Sequence, residues 1–393
     1  MTNDTDAKSS NGSTNTRIAI YYHDICLDHE PPSGASRLEP TSLLAVEEPH
    51  PERPERVMNI KRMIEQTLAD HVEWHTGERA THDQLTLVHE PTYISEIRRL
   101  SGSDSWRIGS VTGGNEHTYD AATFAVGASI QTVDHVIERG PFEVGFALVR
   151  PCGHHAGPET ADGFCFFNNV AVAAEHALAE HRNIERIAIL DWDIHHGNGT
   201  QEIFYDRDDV LFVDLHNDHG AWDPVTHPQT GAADEWGTGD GTGHSVNIPL
   251  PPGTGDDGYA YAFETIVEPI ISQYAPDVIL VSAGQDPGIV DPLGGNLVTR
   301  MGFRALGRKV RSLADAQNAG VALILEGGYQ ISHLPYATVG VLEGVSGVEA
   351  DTSAHTDAVD PFNWLNDEAD GVPEYIDALA AEHAQHWPAL TRQ

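Results

Sequence analysis

Arg186-Ile-Ala-Ile-Leu-Asp-Trp-Asp-Ile-His-His-Gly197 decides the fold: a short apolar run ends directly in two aspartates and two histidines. An apolar run of strand length reads as a strand buried on both faces, and its polar end as the place where chemistry sits. The pattern recurs along the chain. Gly145-Phe-Ala-Leu-Val149 leads into Arg150-Pro-Cys-Gly-His-His-Ala156, and Val210-Leu-Phe-Val213 into Asp214-Leu-His216. Asp277-Val-Ile-Leu-Val281 leads into Ser282-Ala-Gly-Gln-Asp286, and Val321-Ala-Leu-Ile-Leu325 into Glu326-Gly-Gly-Tyr329. A further strand is expected at Arg17-Ile-Ala-Ile-Tyr-Tyr22. Helical spacing of apolar residues marks Glu55 to Leu68, Tyr119 to Glu138, Asn169 to His181, Asp256 to Gln273 and Gly302 to Asn318. Strands alternating with helices imply a parallel sheet flanked by helices, and no linker or internal repeat breaks the rhythm. The expectation is a single α/β domain over residues 17–393, after a polar tail at 1–16 expected to be disordered. Asn217 to Gly243 reads as a long strandless loop. Glu349 to Gly371 reads as an acidic surface loop before a short terminal helix.

Composition narrows the function. The 393 residues carry 60 acidic and 22 basic side chains, a formal charge of −38. This sign repels phosphate backbones and argues against direct nucleic-acid binding. Acidic residues are spread along the whole chain, which fits a solvated surface suited to a salty, halophilic cytoplasm better than a docking face for basic partners. No apolar run reaches the ~18 residues that a membrane span needs. The N-terminus lacks the apolar segment of a secretory signal. Cys26, Cys152 and Cys165 are too few and scattered for a disulfide frame, which fits a cytoplasmic location.

In an open α/β sheet, ligands bind beyond the carboxyl ends of the strands, so the five polar clusters are expected to converge on one edge. Extended geometry alternates side chains with a period of two, which would turn Asp191, Asp193 and His195 the same way. Two carboxylates and an imidazole suit a divalent metal, and Asp286 is placed to close the site. Three protein ligands with a position left for water is the arrangement of a catalytic zinc. His154 and His155 are then candidate base and acid, since imidazole titrates near about 6.5. Tyr329, after two glycines, is a candidate donor to an oxyanion.

These motifs, with Gly163-Phe-Cys-Phe-Phe-Asn-Asn169, Asp291-Pro-Leu-Gly-Gly295, His50-Pro-Glu-Arg-Pro-Glu-Arg56 and Asn247-Ile-Pro-Leu-Pro-Pro-Gly253, resemble the histone deacetylase superfamily. The likeness is nearest its class II branch and the histone deacetylase-like amidohydrolases, and it runs from about Ile18 to Gly347. It implies an arginase/deacetylase fold and zinc-dependent hydrolysis of N-acetyl-lysine or a related acetylated amine. By resemblance, Asp193, His195 and Asp286 are the zinc ligands, although other divalent metals suit such a donor set. His155 matches the general base, His154 its electrostatic neighbour and Tyr329 the phenol that polarises the carbonyl. Asp191 matches the carboxylate that orients His154, and Asn198 the partner of His155. Asp191, Asp193, His195, Asp214 and Leu215 match a structural K+ or Na+ site. Gly163 would accept the substrate N–H, while Phe164 and Trp222 would wall a tunnel.

The chain departs from the family pattern at three places. Asp214 stands where relatives usually have serine, Gln285 replaces a small or apolar residue before Asp286, which could alter the pocket wall, and Cys152 replaces the commoner proline. An added carboxylate at Asp214 is expected to tighten alkali-cation binding. Other readings are an acetylpolyamine or small-molecule amidohydrolase and an inactive acetyl-lysine-binding scaffold. A binuclear manganese ureohydrolase is disfavoured because its Asp-Ala-His-x-Asp pattern is absent. The expected partner is an acetylated protein or small acetylated amine, and the sequence leaves a homo-oligomer open.

Overall fold

The computed structural model describes residues 18–33, 45, 49–109, 111–140, 143–218, 230–351 and 368–392. The tail at 1–16, Trp222 and the middle of the acidic loop lie outside these residues.

Eight parallel strands form the central sheet, and a short antiparallel hairpin of β3 (Trp106–Ile108) and β4 (Thr112–Gly114) stands apart from it. The sheet strands are β1 (Ile18–Tyr22), β2 (Val72–Thr76), β5 (Val144–Ala147), β6 (Ile187–Asp191), β7 (Val210–Asn217), β8 (Ser245–Leu250), β9 (Val278–Ala283) and β10 (Gly320–Leu325). Their spatial order is β2-β1-β5-β10-β9-β6-β7-β8. The chain leaves β5, skips two places to lay β6, β7 and β8 outward, then returns to fill the gap with β9 and β10. The centre of the sheet is therefore built last in sequence, and four chain-distant strand ends meet there. Register aligns Ala147, Ile324, Ser282, Asp191, Asp214 and Asn247 in one row across neighbouring strands.

Alternation along each strand feeds two apolar layers. Ala188, Leu190, Leu211, Val213, Val281 and Leu323 face one layer. Ile187, Ile189, Val210, Phe212, Leu280 and Ile324 face the other. At about 25 cal/mol per Å2 of apolar surface removed from water, such two-sided burial is the main force holding strands and helices together. The expected helices are present at Glu55–Thr67, Thr118–Arg139, Asn169–Glu180 and Arg300–Gln317. The helix expected at Asp256 to Gln273 carries a wider π turn at Phe263–Val267, followed directly by Pro269, which has no N–H to donate.

The sequence reading missed two edge strands. β2 is half exposed and mixes Glu and His with its apolar residues. β8 contains Pro249, which only an edge strand tolerates. A boundary is corrected too. Asp214, Leu215 and His216 lie inside β7, not beyond it, because β8 pairs with β7 as far as Asn217 and Leu250.

Candidate active site

The β6 strand ends at Asp191, whose Oδ2 lies 3.0 Å from His154 Nδ1 and whose Oδ1 accepts from the Asp193 amide at 2.9 Å. Asp191 thus braces the site, and the strand ends there, so regular strand alternation does not carry on to Asp193 and His195. Asp193, His195 and Asp286 do converge, with one ligand atom from each inside a 4.8 Å spread, all buried. The pieces are fixed by backbone amides. Asp193 Oδ2 accepts from Gly327 N at 2.8 Å, and Asp286 Oδ1 from Ile194 N at 2.9 Å. Asp286 Oδ2 is buried without a hydrogen bond, 3.1 Å from His195 Nδ1. An orphaned carboxylate oxygen costs free energy in a dry interior unless a cation answers it, so these residues fit a divalent ion.

His154 and His155 sit side by side, ring centroids 4.0 Å apart, yet their environments differ. Burial opposes charge on His154, but the carboxylates of Asp193 and Asp191 outweigh it and hold its pKa well above the usual imidazole value. Burial, then His154 and His195, push His155 well below that value. His155 Nδ1 lies 2.7 Å from Asn198 Oδ1, so Nδ1 carries the hydrogen and Nε2 is left with a lone pair. Asn198 sits in the first turn of the helix Asn198–Phe204.

Tyr329 follows β10. Burial, then Cys152, raises its phenol well above its ordinary value, which keeps the proton on oxygen. Its backbone N–H donates to Asp291 Oδ2 at 2.5 Å, and the Arg56 guanidinium lies 4.8 Å from its ring centre. Phe164 packs edge-on against Tyr329 with centroids 6.0 Å apart. Gly163 has φ +51, and a Cβ there would lie 2.0 Å from His155 Cδ2, so only glycine lets this turn close on the base. The Gly163 carbonyl is approached by the thiols of Cys165 and Cys152, at 3.5 and 3.7 Å.

Gln285 is buried beside Asp286. Its amide donates to Ala283 O at 2.7 Å and accepts from Thr338 at 3.3 Å. Leu215 is buried in the apolar layer. The Asp214 carboxylate engages His196, Gly197 N and His216.

Sequence reasoning gave no role to the buried residues that hold this frame. Arg56 donates to the carbonyls of Gly328 and Glu326, both at 2.5 Å. Glu52 Oε1 lies 3.1 Å from Arg56 and 2.7 Å from Arg150. Glu326 Oε2 accepts from the amides of Gly153 and His154, which locks the turn of the histidine pair to the end of β10. The signal was the density of charge in His50-Pro-Glu-Arg-Pro-Glu-Arg56.

A buried His/Asp cluster that could hold a metal ion, with two adjacent imidazoles and a phenol beside it, sits at the carboxyl edge of the parallel sheet. Residues 50–345 match the histone deacetylase domain, and the chain belongs to that family. It is a hydrolytic deacetylase. It is 34% identical over 379 residues to histone deacetylase 8 of Arabidopsis thaliana, covering 95% of this chain and 98% of that one. It is 35% identical to the histone deacetylase-like amidohydrolase of Pseudomonas aeruginosa, covering 85% and 87%. The crystal structure of the HDA15 HD domain superposes with a TM-score of 0.79 at 31% identity, covering 96% of this chain and 97% of that chain.

Proposed function

We propose that this deacetylase hydrolyses N-acetyl-lysine or a closely related acetylated amine, with zinc held by Asp193, His195 and Asp286. The observation that carries the reading is His155, its Nδ1 2.7 Å from Asn198 Oδ1, standing beside that ligand cluster. A divalent ion bound there would polarise the acetyl carbonyl and acidify the attacking water. His155 Nε2 takes the proton from that water. The Tyr329 hydroxyl donates to the oxygen that gains negative charge as the carbon becomes tetrahedral. His155 then passes the proton to the amine as the C–N bond breaks, leaving acetate and a free amine. His154, held by Asp191, supplies positive charge beside the carboxylates and limits their mutual repulsion. Phe164 and Gly163 line the approach to the base.

An alkali ion placed as the resemblance implies would rely on Asp191, Asp193, His195 and Leu215, because the Asp214 carboxylate is committed to His196, Gly197 and His216. The heavy acidic surface supports work in a saline cytoplasm. Rates on an acetyl-lysine peptide and an acetylated polyamine, compared side by side in molar KCl, test the substrate. Faster turnover of the peptide supports the reading, and turnover of the polyamine alone overturns it.

A further inference from the structure

Asp214 and His216 are two residues apart in β7 and therefore share a face, and His196 reaches them from the turn between β6 and the helix at Asn198. All three are fully buried. Asp214 Oδ2 accepts from His196 Nδ1 at 2.7 Å and from Gly197 N at 2.9 Å. Asp214 Oδ1 lies 3.1 Å from His216 Nδ1, yet neither atom has a hydrogen-bond partner, so the two are close but off the line of a bond. The other nitrogen of His216 is 2.9 Å from the Gly231 carbonyl. A carbonyl can only accept, so Nε2 carries a hydrogen. Asp214 Oδ1 and His216 Nδ1 thus face each other, buried and without a hydrogen bond. Buried polar atoms left without a hydrogen bond cost free energy, which a cation held between them would offset.

The surroundings point the same way. A histidine that ligates a metal typically donates its far nitrogen to a backbone carbonyl, as His216 does. Gly231, at φ +97, roofs the cluster, since a Cβ there would lie 2.7 Å from both His196 Cγ and His216 Nε2. Ligand atoms from His196, Asp214 and His216 fall within 4.8 Å of one another, and none of these residues belongs to the Asp193, His195 and Asp286 group.

We propose that His196, Asp214 and His216 form a second, structural site for a divalent transition-metal ion, with zinc as the natural probe. Two imidazoles and one carboxylate suit zinc, cobalt or nickel, whereas Mg2+, Ca2+ and the alkali ions prefer all-oxygen sets. On binding, the metal takes the place of the hydrogen at His196 Nδ1, the neutral ring then carrying its one hydrogen on Nε2, while His216 keeps its Nε2 hydrogen. The ion would pin β7 to the turn that carries His195 and Asn198, without touching substrate.

The test is zinc stoichiometry by elemental analysis on full-length protein, stripped with a chelator, reloaded with zinc and dialysed. The expected counts are two per wild-type chain, and one each for His216→Gln, Asp214→Ser and Asp286→Ala. Loss of zinc by the first two but not by Asp286→Ala would uphold this site and sink the catalytic one. One zinc in wild type that only Asp286→Ala removes overturns this inference. A cobalt titration of wild type, followed by visible absorption, needs no variant to fold. Saturation at two equivalents supports the second site, and saturation at one overturns it.

Discussion

The two halves of the active site are built from opposite electrostatic material. On one side, at the ends of β6 and β9, three buried carboxylates crowd together in Asp191, Asp193 and Asp286. On the other lie uncharged groups, the Asn198 amide, the Tyr329 phenol and the Phe164 ring, around His155, whose pKa burial pushes well below the usual imidazole value. The adjacent histidines belong to different halves, and the partner of each decides its role. The carboxylates of Asp193 and Asp191 hold the His154 pKa well above the usual imidazole value, whereas Asn198 orients His155 with an uncharged amide. Concentrated negative charge selects a metal, and a base beside it works only if its own partner is uncharged.

Removing a ligand breaks the carboxylate half outright. Asp286→Ala should lose the catalytic metal and bring turnover down by well over the 10–100-fold typical of losing an outer-shell partner, as elemental analysis and a deacetylation assay will record. Next comes the frame behind the neutral half. Glu52→Gln leaves Arg56 and Arg150 buried without their counter-charge, and denaturant unfolding should show a loss of about 3–5 kcal/mol. Burial raises the Glu52 pKa, but Arg150, His29 and Arg56 outweigh it and hold it well below the carboxylate range. Its stabilisation is therefore present above the unfolded carboxylate pKa and is lost as pH falls through the lower, folded value.

Tyr329→Phe leaves the carboxylate half intact. Metal content should be unchanged and kcat reduced on the order of 10²–10³, and an unchanged kcat removes the phenol from the mechanism. Asn198→Asp makes the two halves alike. A carboxylate beside His155 raises its pKa, so the acid limb of kcat/KM, which marks loss of the free base, should move to higher pH by about 1 unit or more. A limb that stays put would show that Asn198 does not set the base. The mildest effect is on the surface, where a charge of −38 should make the melting temperature rise between low and molar KCl.

Much of this was legible in the sequence because one-dimensional signals sufficed. Apolar runs such as Ile187-Ala-Ile-Leu190 can be buried on both faces only in a covered parallel sheet, and strand ends in such sheets gather ligands. The edge strands were hidden for the converse reason: β2 is half exposed and β8 carries Pro249, so neither shows a continuous apolar run. The extent of β7 was hidden because Asp214 and His216, polar residues that read as a strand end, continue the ladder to β8.

The order of residue types thus determined the α/β class, the edge of the sheet where chemistry lies and the set of chemical groups available there. Only the tertiary structure decided how those groups are partitioned, because that depends on pairs far apart in the chain. Asp286 closes on His195, Glu326 fastens the His154 turn, Arg56 grips the turn before Tyr329, and Asp214 turns to His196 and His216. Strand order sets these meetings, and it does so because β9 and β10, late in the chain, fill the gap that β5 and β6 leave open.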